Sequence, residues 1–403
     1  MAGRDSPVTV SVDAVVGFRL RAHHLTTRCR AEDLLEAAGA CAVQDSPPGS
    51  ALLALHARVD DVTRAGVDRL VGAEKSLLRT WSLRGAPFVF PTADAPVFTT
   101  GVLPPTEAGR LRLIGGVEQA LRTLDLGLDE VVDRTAEATV PVLSGRALAV
   151  TELGEEVAAR IANTLTKARR AAWEAPGPYG ANQPLGEAVV HFCLRILTLR
   201  GLVCLTPRSE NTAPFALLGE WLGEPLPEAD PGEARAALLR RYLRCYGPST
   251  RKDFAAWVGI GSGDAQPWWE AIAEELTPVD VDGRRTWLLA EHVDDLRAAD
   301  ARGVRLLPPG DPYTQMRDRA TIVDPKHQRA VWKSVGAPGT VLADGVLAGT
   351  WRPRKHGRAL TVTVTLFAPI RSALRTRLRE EARHVAQLRG AERVEVEFDD
   401  ASA

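Results

Sequence analysis

Two neighbouring segments carry the residue types best suited to chemistry. Ala42-Val43-Gln44-Asp45-Ser46-Pro47-Pro48-Gly49 sets an amide beside a carboxylate, on a chain-breaking turn between two apolar helical stretches. A carboxylate can orient or deprotonate water, and an amide can position that water or a sugar oxygen. Leu78-Arg79-Thr80-Trp81-Ser82-Leu83-Arg84-Gly85 places two guanidinium groups around an indole. On an extended segment Arg79 and Trp81 share a face, so the ring can stack on a base while the guanidinium binds phosphate. The plainer alternatives are an Asp45 that caps the next turn and a half-buried strand with a solvated Arg79.

A third polar stretch, Asp311-Pro312-Tyr313-Thr314-Gln315-Met316-Arg317-Asp318-Arg319, follows an apolar strand, where functional loops tend to sit. Its alternative is a structural turn held by local ion pairs. The loop Gly177–Pro184 is rich in glycine but lacks the Lys-Ser/Thr of a phosphate-binding P-loop. No G-x-S-x-G nucleophile signature occurs. The cysteines, at positions 29, 41, 193, 204 and 245, form no CxxC pair, and His23-His24 has no partner at ligand spacing. Neither a metal nor a cofactor is expected.

Helices and hairpins must position these residues. Gly17–Thr26 and Ala31–Ala38 read as helices, Ser50 can cap a third through Val59, and Leu77–Trp81 and Ala86–Phe90 read as paired strands. Helix, helix, helix, hairpin is the order of a winged helix, a unit that reads DNA by placing a helix in the major groove. The order returns partially at Thr151–Asn163, Gly186–Leu199 and the strand Gly201–Leu205. It returns most cleanly at Ala234–Tyr246, Arg251–Trp257 and Asp264–Leu276, before strands around Asp282-Gly283. Strands are expected at Val304–Leu307, Thr340–Leu342, Val346–Trp351, Ala359–Phe367 and Arg393–Phe398, with a helix at Arg371–Arg389.

The expected fold is therefore mainly α with β (α+β): three tandem winged-helix motifs and a C-terminal β-rich domain. The corresponding boundaries are 1–105, 106–225, 226–300 and 301–403, with linkers near Pro91–Pro105, Glu224–Pro231 and Glu291–Ala301. A chain of 403 residues is long enough for several cores. With 50 basic and 51 acidic residues, a wholly basic nucleic-acid binder is excluded, whereas a local basic groove is not. Basic residues gather at Arg19–Arg30 and Arg352–His356. No signal peptide or membrane span is evident, which leads to the expectation of a cytoplasmic protein with reduced thiols. Winged helices also serve as protein-interaction modules, so a scaffold remains an alternative at this level.

Arg79-Thr80-Trp81-x-x-Arg84-Gly85, Leu306-Leu307-Pro308-x-x-Asp311-Pro312-Tyr313 and Gly345-x-x-x-Gly349-Thr350-Trp351 occur in the same order as in a known family. Across roughly residues 14–390 the chain resembles bacterial winged-helix DNA-binding proteins of the AlkZ/YcaQ type. The resemblance implies a C-shaped body around a channel for double-stranded DNA. It implies a monomeric, monofunctional DNA glycosylase that releases N7-alkylated purines and unhooks interstrand crosslinks. It places Gln44 and Asp45 in the catalytic segment, and Arg79, Trp81, Arg84, Tyr313 and Arg317 against DNA. Family glycosylases carry Gln-x-Gln or Gln-x-Asp there. If Gln44 is the second motif position, Ala42 replaces the first Gln; if it is the first, Ser46 is the second. Neither register keeps the full motif. The same resemblance also admits a non-catalytic DNA-binding regulator.

Overall fold

The computed structural model describes residues 7–180, 182–208 and 212–400; Ala181, in the glycine-rich loop, lies outside them. The chain divides into two compact units. One takes in the described residues up to Val67, then Leu239–Phe254, then those from Ile272 onward; the other is Asp68–Leu238 with Ala255–Ala271.

The first unit opens on helix Val12–Ala22, which starts before the expected Gly17 because Ser11 accepts a hydrogen bond from the Ala14 N–H at 3.2 Å. The second expected helix begins as a 3-10 turn, Ala31–Asp33, and continues as Leu34–Gly39. A two-residue strand, Val43–Gln44, follows. Helix Ser50–Arg58 is buried along its whole length, as its run of Ala and Leu dictates. Ser50 is its first residue rather than its cap.

Later in the chain, this unit takes the part of helix Pro231–Tyr246 from Leu239, the start of helix Arg251–Val258, and the antiparallel hairpin Leu276–Val281/Arg284–Leu289; helix Gln266–Ala271, between them in sequence, belongs to the other unit. Asp282 and Gly283 both take positive φ (49° and 81°), as a type I′ turn demands. Strand Val8–Val10 extends this hairpin in parallel, Val8 opposite Val279.

A five-stranded sheet closes the unit, in the order Arg393–Asp400, Ala359–Leu366, Val346–His356, Gly339–Ala343, Val304–Leu307. Only the first of these pairings is parallel. Helix Ser372–Leu388 supplies the crossover that a parallel pair requires. It buries Leu374, Leu378, Ala382 and Val385, one helical face. Leu360, Val362, Val364 and Leu366 are the buried alternate residues of Ala359–Leu366.

The second unit is built on helices Leu128–Leu143, Val150–Ala162 and Leu185–Leu199, whose Val131, Leu153 and Val189 share one core. Strands Leu77–Trp81 and Pro87–Pro91 pair as expected, Leu78 opposite Phe90. The stretch Pro91–Pro105 is not a linker: it folds as short helical turns around helix Ala95–Phe98, and Phe98 is fully buried. Helices Glu107–Ile114 and Glu118–Leu124 also have no counterpart in the sequence reading.

Candidate active site

Helix Ser50–Arg58 positions the site from below. Its last residue, Arg58, donates from Nη1 to Asp311 Oδ2 at 2.9 Å and from Nη2 to Asp311 Oδ1 at 2.8 Å. The two side chains are 2% and 0% exposed. Burial alone would lower the Arg58 pKa, but the Asp311 carboxylate outweighs it and raises the guanidinium above its ordinary value. Asp311 Oδ1 also accepts from the Tyr313 N–H at 2.9 Å, so the ion pair fixes the turn Pro312–Gln315.

That turn delivers Gln315 to Gln44. Gln315 Nε2 donates to Gln44 Oε1 at 3.0 Å and to the Gly310 carbonyl at 2.7 Å. Gln44 Nε2 donates to the Ser46 carbonyl at 3.3 Å. Gly310 sits at φ +72°, and a side chain there would meet the Gln44 amide at 3.3 Å; glycine lets the amide lie against backbone. Gln44 is half-buried. A primary amide has two donors and two acceptor lone pairs, so beyond these bonds Gln44 retains one N–H and one lone pair for a water or a sugar oxygen.

Asp45 is 2% exposed, and its Oδ1 accepts from the backbone N–H groups of Gly49 at 2.9 Å and Ala51 at 3.3 Å. It therefore caps helix Ser50–Arg58 across the Pro47-Pro48-Gly49 turn. The structure brings Gln44 and Asp45 together with Gln315, Asp311 and Arg58.

The expected DNA contacts are placed unevenly. Arg317 is half-buried in a cleft of about 470 Å³ that it shares with Arg284, Asp318 and Arg319. Burial, and then the neighbouring Arg319, lower its pKa. Tyr313 is only 1% exposed, its ring edge-on to His23 at 5.5 Å; it braces the loop from inside and offers no face to a ligand. In the other unit, Arg79 is 7% exposed and donates to the Thr206 carbonyl at 3.4 Å. Trp81 packs edge-on against Phe215, ring centroids 4.8 Å apart. Arg84 is half-buried at φ +56° and donates to the Trp257 carbonyl. The strand thus differs from the alternative reading too: Leu77 to Thr80 are buried on both faces, only Trp81 is partly exposed, and Arg79 is turned inward rather than solvated.

Sequence reading does not single out Arg58, Gly310 or Gln315. Gln315 stands inside the polar loop, but nothing in its spacing links it to Gln44. Two clusters among the described residues have donor sets suited to a metal: His56, Glu381 and His384; and His23, Cys41 and Cys245. In the first, Arg28 donates to both Glu381 oxygens, at 2.7 and 2.8 Å, so a cation already occupies the carboxylate.

Residues 35–388 match the model of a family described as DNA glycosylase AlkZ-like. A curated relative from Streptomyces sahachiroi, described as an interstrand DNA cross-link repair glycosylase, is 29% identical over 373 residues, spanning 88% of this chain and 90% of its own. Among solved structures, Streptomyces sahachiroi DNA glycosylase AlkZ superposes with a TM-score of 0.73 at 24% identity, covering 97% of this chain and 100% of that one. This likeness supports the expected mixed helix-and-sheet fold.

Proposed function

We propose, from the premise that this chain belongs to the AlkZ-like DNA glycosylase family, that it is a DNA-repair glycosylase hydrolysing the N-glycosidic bond of N7-alkylated purines in duplex DNA, interstrand crosslinks included. The observation that carries the reading is the Gln44–Gln315 amide pair, buttressed by the Arg58–Asp311 ion pair and still holding hydrogen-bonding capacity on the half-buried Gln44.

Alkylation at N7 makes the purine cationic, so the base leaves without a general acid. Bond cleavage leaves an oxocarbenium-like sugar, a strong electrophile that needs a placed water more than a strong base. Gln44 positions that water through its remaining lone pair and N–H, and Gln315 locks the rotamer of Gln44. Asp45 serves as an electrostatic partner: it holds the turn and places a negative charge one residue from Gln44. This division suits a segment that has Ala42 in place of the first motif Gln. Arg84 and Arg317, with Arg284 and Arg319 beside the latter, are the proposed phosphate contacts. Trp81 and the two buried residues, Arg79 and Tyr313, shape the surfaces that carry them. The protein acts as a monomer on nucleoid DNA in the cytoplasm. Among the described residues, no helix is long and apolar enough to cross a membrane.

Incubation with a duplex containing N7-methylguanine tests this, with base release read by chromatography against spontaneous loss. Release well above the spontaneous rate is expected. Tight duplex binding without release supports a non-catalytic DNA-binding protein instead.

A further inference from the structure

We propose that His23, Cys41 and Cys245 form a binding site for one soft, thiophilic cation of the Zn²⁺ or Cu⁺ class, which pins the chain segment leading into Gln44. The three residues come from separate elements: the end of helix Val12–Ala22, the turn after Leu34–Gly39, and the last turn of Pro231–Tyr246. Their exposures are 0%, 4% and 2%. One donor atom from each lies within 4.8 Å of the other two, and Cys41 Sγ is 3.6 Å from His23 Nδ1. Tetrahedral ligation, with zinc–sulfur near 2.3 Å and zinc–nitrogen near 2.05 Å, sets sulfur–nitrogen edges of about 3.5 Å and sulfur–sulfur edges of about 3.8 Å. The donors thus need only small shifts to close on an ion.

The imidazole is already aimed. Its Nδ1 is the ring atom set against Cys41 Sγ, and edge-on contacts with Tyr246 and Tyr313 hold the ring at 5.1 and 5.5 Å. Two thiolates neutralise a divalent ion, and the neighbouring Arg58–Asp311 pair is itself neutral, so the zinc-filled site buries no net charge, whereas a cuprous ion leaves one negative charge. Sulfur and imidazole ligands select soft cations over Mg²⁺ or Ca²⁺. The Ala40 carbonyl, 3.2 Å from Cys245 Sγ, is at hand as a fourth donor for zinc, whereas a cuprous ion is satisfied by three. A cleft of about 550 Å³ lined by Ala40 and Cys245 gives the ion a way in. Cys41 directly precedes Ala42, which sits at φ +58°, so an ion here fixes the backbone that presents Gln44. The proposal does not depend on the glycosylase reading.

The test uses the full chain, stripped with a chelator under a phosphine reductant and titrated with Co²⁺. Zn²⁺ then competes in one arm, and Cu⁺ from a chromogenic chelator in the other. The expected result is a near-ultraviolet thiolate-to-cobalt band saturating at one equivalent per chain, displaced by zinc or cuprous ion, with a rise in thermal midpoint. The band should vanish in Cys41→Ser/Cys245→Ser and persist in Cys193→Ser, a buried cysteine elsewhere. If the double variant does not fold, His23→Gln, checked by circular dichroism, should weaken cobalt binding at least tenfold. Absence of the band overturns the proposal. So does binding that survives in the folded double variant, or a Cys41–Cys245 disulfide recovered in place of metal from protein purified without reductant.

Discussion

Replacing Asp45 separates two jobs that a buried carboxylate can do beside Gln44. Its Oδ1 accepts from the Gly49 and Ala51 N–H groups at 2.9 and 3.3 Å, ahead of helix Ser50–Arg58. Asparagine presents a carbonyl oxygen in the same place. Asp45→Asn therefore keeps both bonds and removes the charge at a helix N-terminus, about 0.3–1 kcal/mol. Asp45→Ala loses both bonds, and deleting a cap costs about 1–2 kcal/mol. The upper end applies because a residue 2% exposed leaves little room for water to replace it. The damage reaches the amide pair, because the same helix carries Arg58, which holds Asp311 and with it Gln315. Thermal melts and base release from N7-methylguanine duplex, read together, distinguish the roles. The Asn variant should melt near wild type and keep its rate within about tenfold, or 1.4 kcal/mol. The Ala variant should lose about 1–2 kcal/mol of stability, the cap contribution above. A general base contributes on the order of 10²–10⁴ in rate. A hundredfold or greater loss in the Asn variant, at unchanged stability, refutes the capping role and makes Asp45 the base.

The buried ion pair gives a larger stability effect. Asp311→Asn strands Arg58 and should cost about 3–5 kcal/mol, while Arg58→Met/Asp311→Leu should recover much of it; equal melting of the single and double variants would sink that reading. Acid should weaken the chain through Glu381. Burial pushes its carboxyl up, but the neighbouring His384 and His56 rings and the Arg28 guanidinium outweigh it and hold it well below the ordinary range. A depressed carboxylate adds stability above its unfolded pKa of about 4.3, lost as pH falls towards the folded value. The thermal midpoint should therefore drop below about pH 5, and Glu381→Gln should flatten that acid limb; parallel profiles would refute it. The hairpin tip exposes Arg352, Arg354 and Lys355. Replacing all three by Ser should reduce the log–log salt dependence of duplex binding by about 0.9 for each phosphate no longer neutralised; an unchanged slope would remove the tip from the interface.

Local periodicity makes much of the fold readable. Strand Val304–Leu307 and the Asp282-Gly283 hairpin stand where alternation and turn chemistry put them, because register and turn type are local properties. The stretch from Pro91 to Leu143 is not legible. Prolines mark both ends of its supposed linker, and Pro141 sits inside helix Leu128–Leu143, yet burial of Phe98, Val131 and Val132 overrides those breakers. The candidate site is half legible. Gln44 and Asp45 announce themselves as an amide beside a carboxylate, whereas Gln315 lies 271 residues from Gln44 and Asp311 lies 253 from Arg58. No spacing rule reaches that far; only the packed chain joins them. Arg79 meets a related limit: alternation shows which residues share a face, but not which face is turned to solvent.

Single-turnover release of N7-methylguanine from duplex DNA, measured side by side for wild type and Gln44→Ala at matched duplex affinity, bears most directly on the catalytic amide. The expected result is release well above spontaneous loss by the wild type and a fall on the order of 10²-fold in the variant, the cost of removing one positioned hydrogen-bonding group. Equal rates for the two proteins, or a wild type no faster than spontaneous loss, would contradict the assignment of Gln44 as the group that places the water.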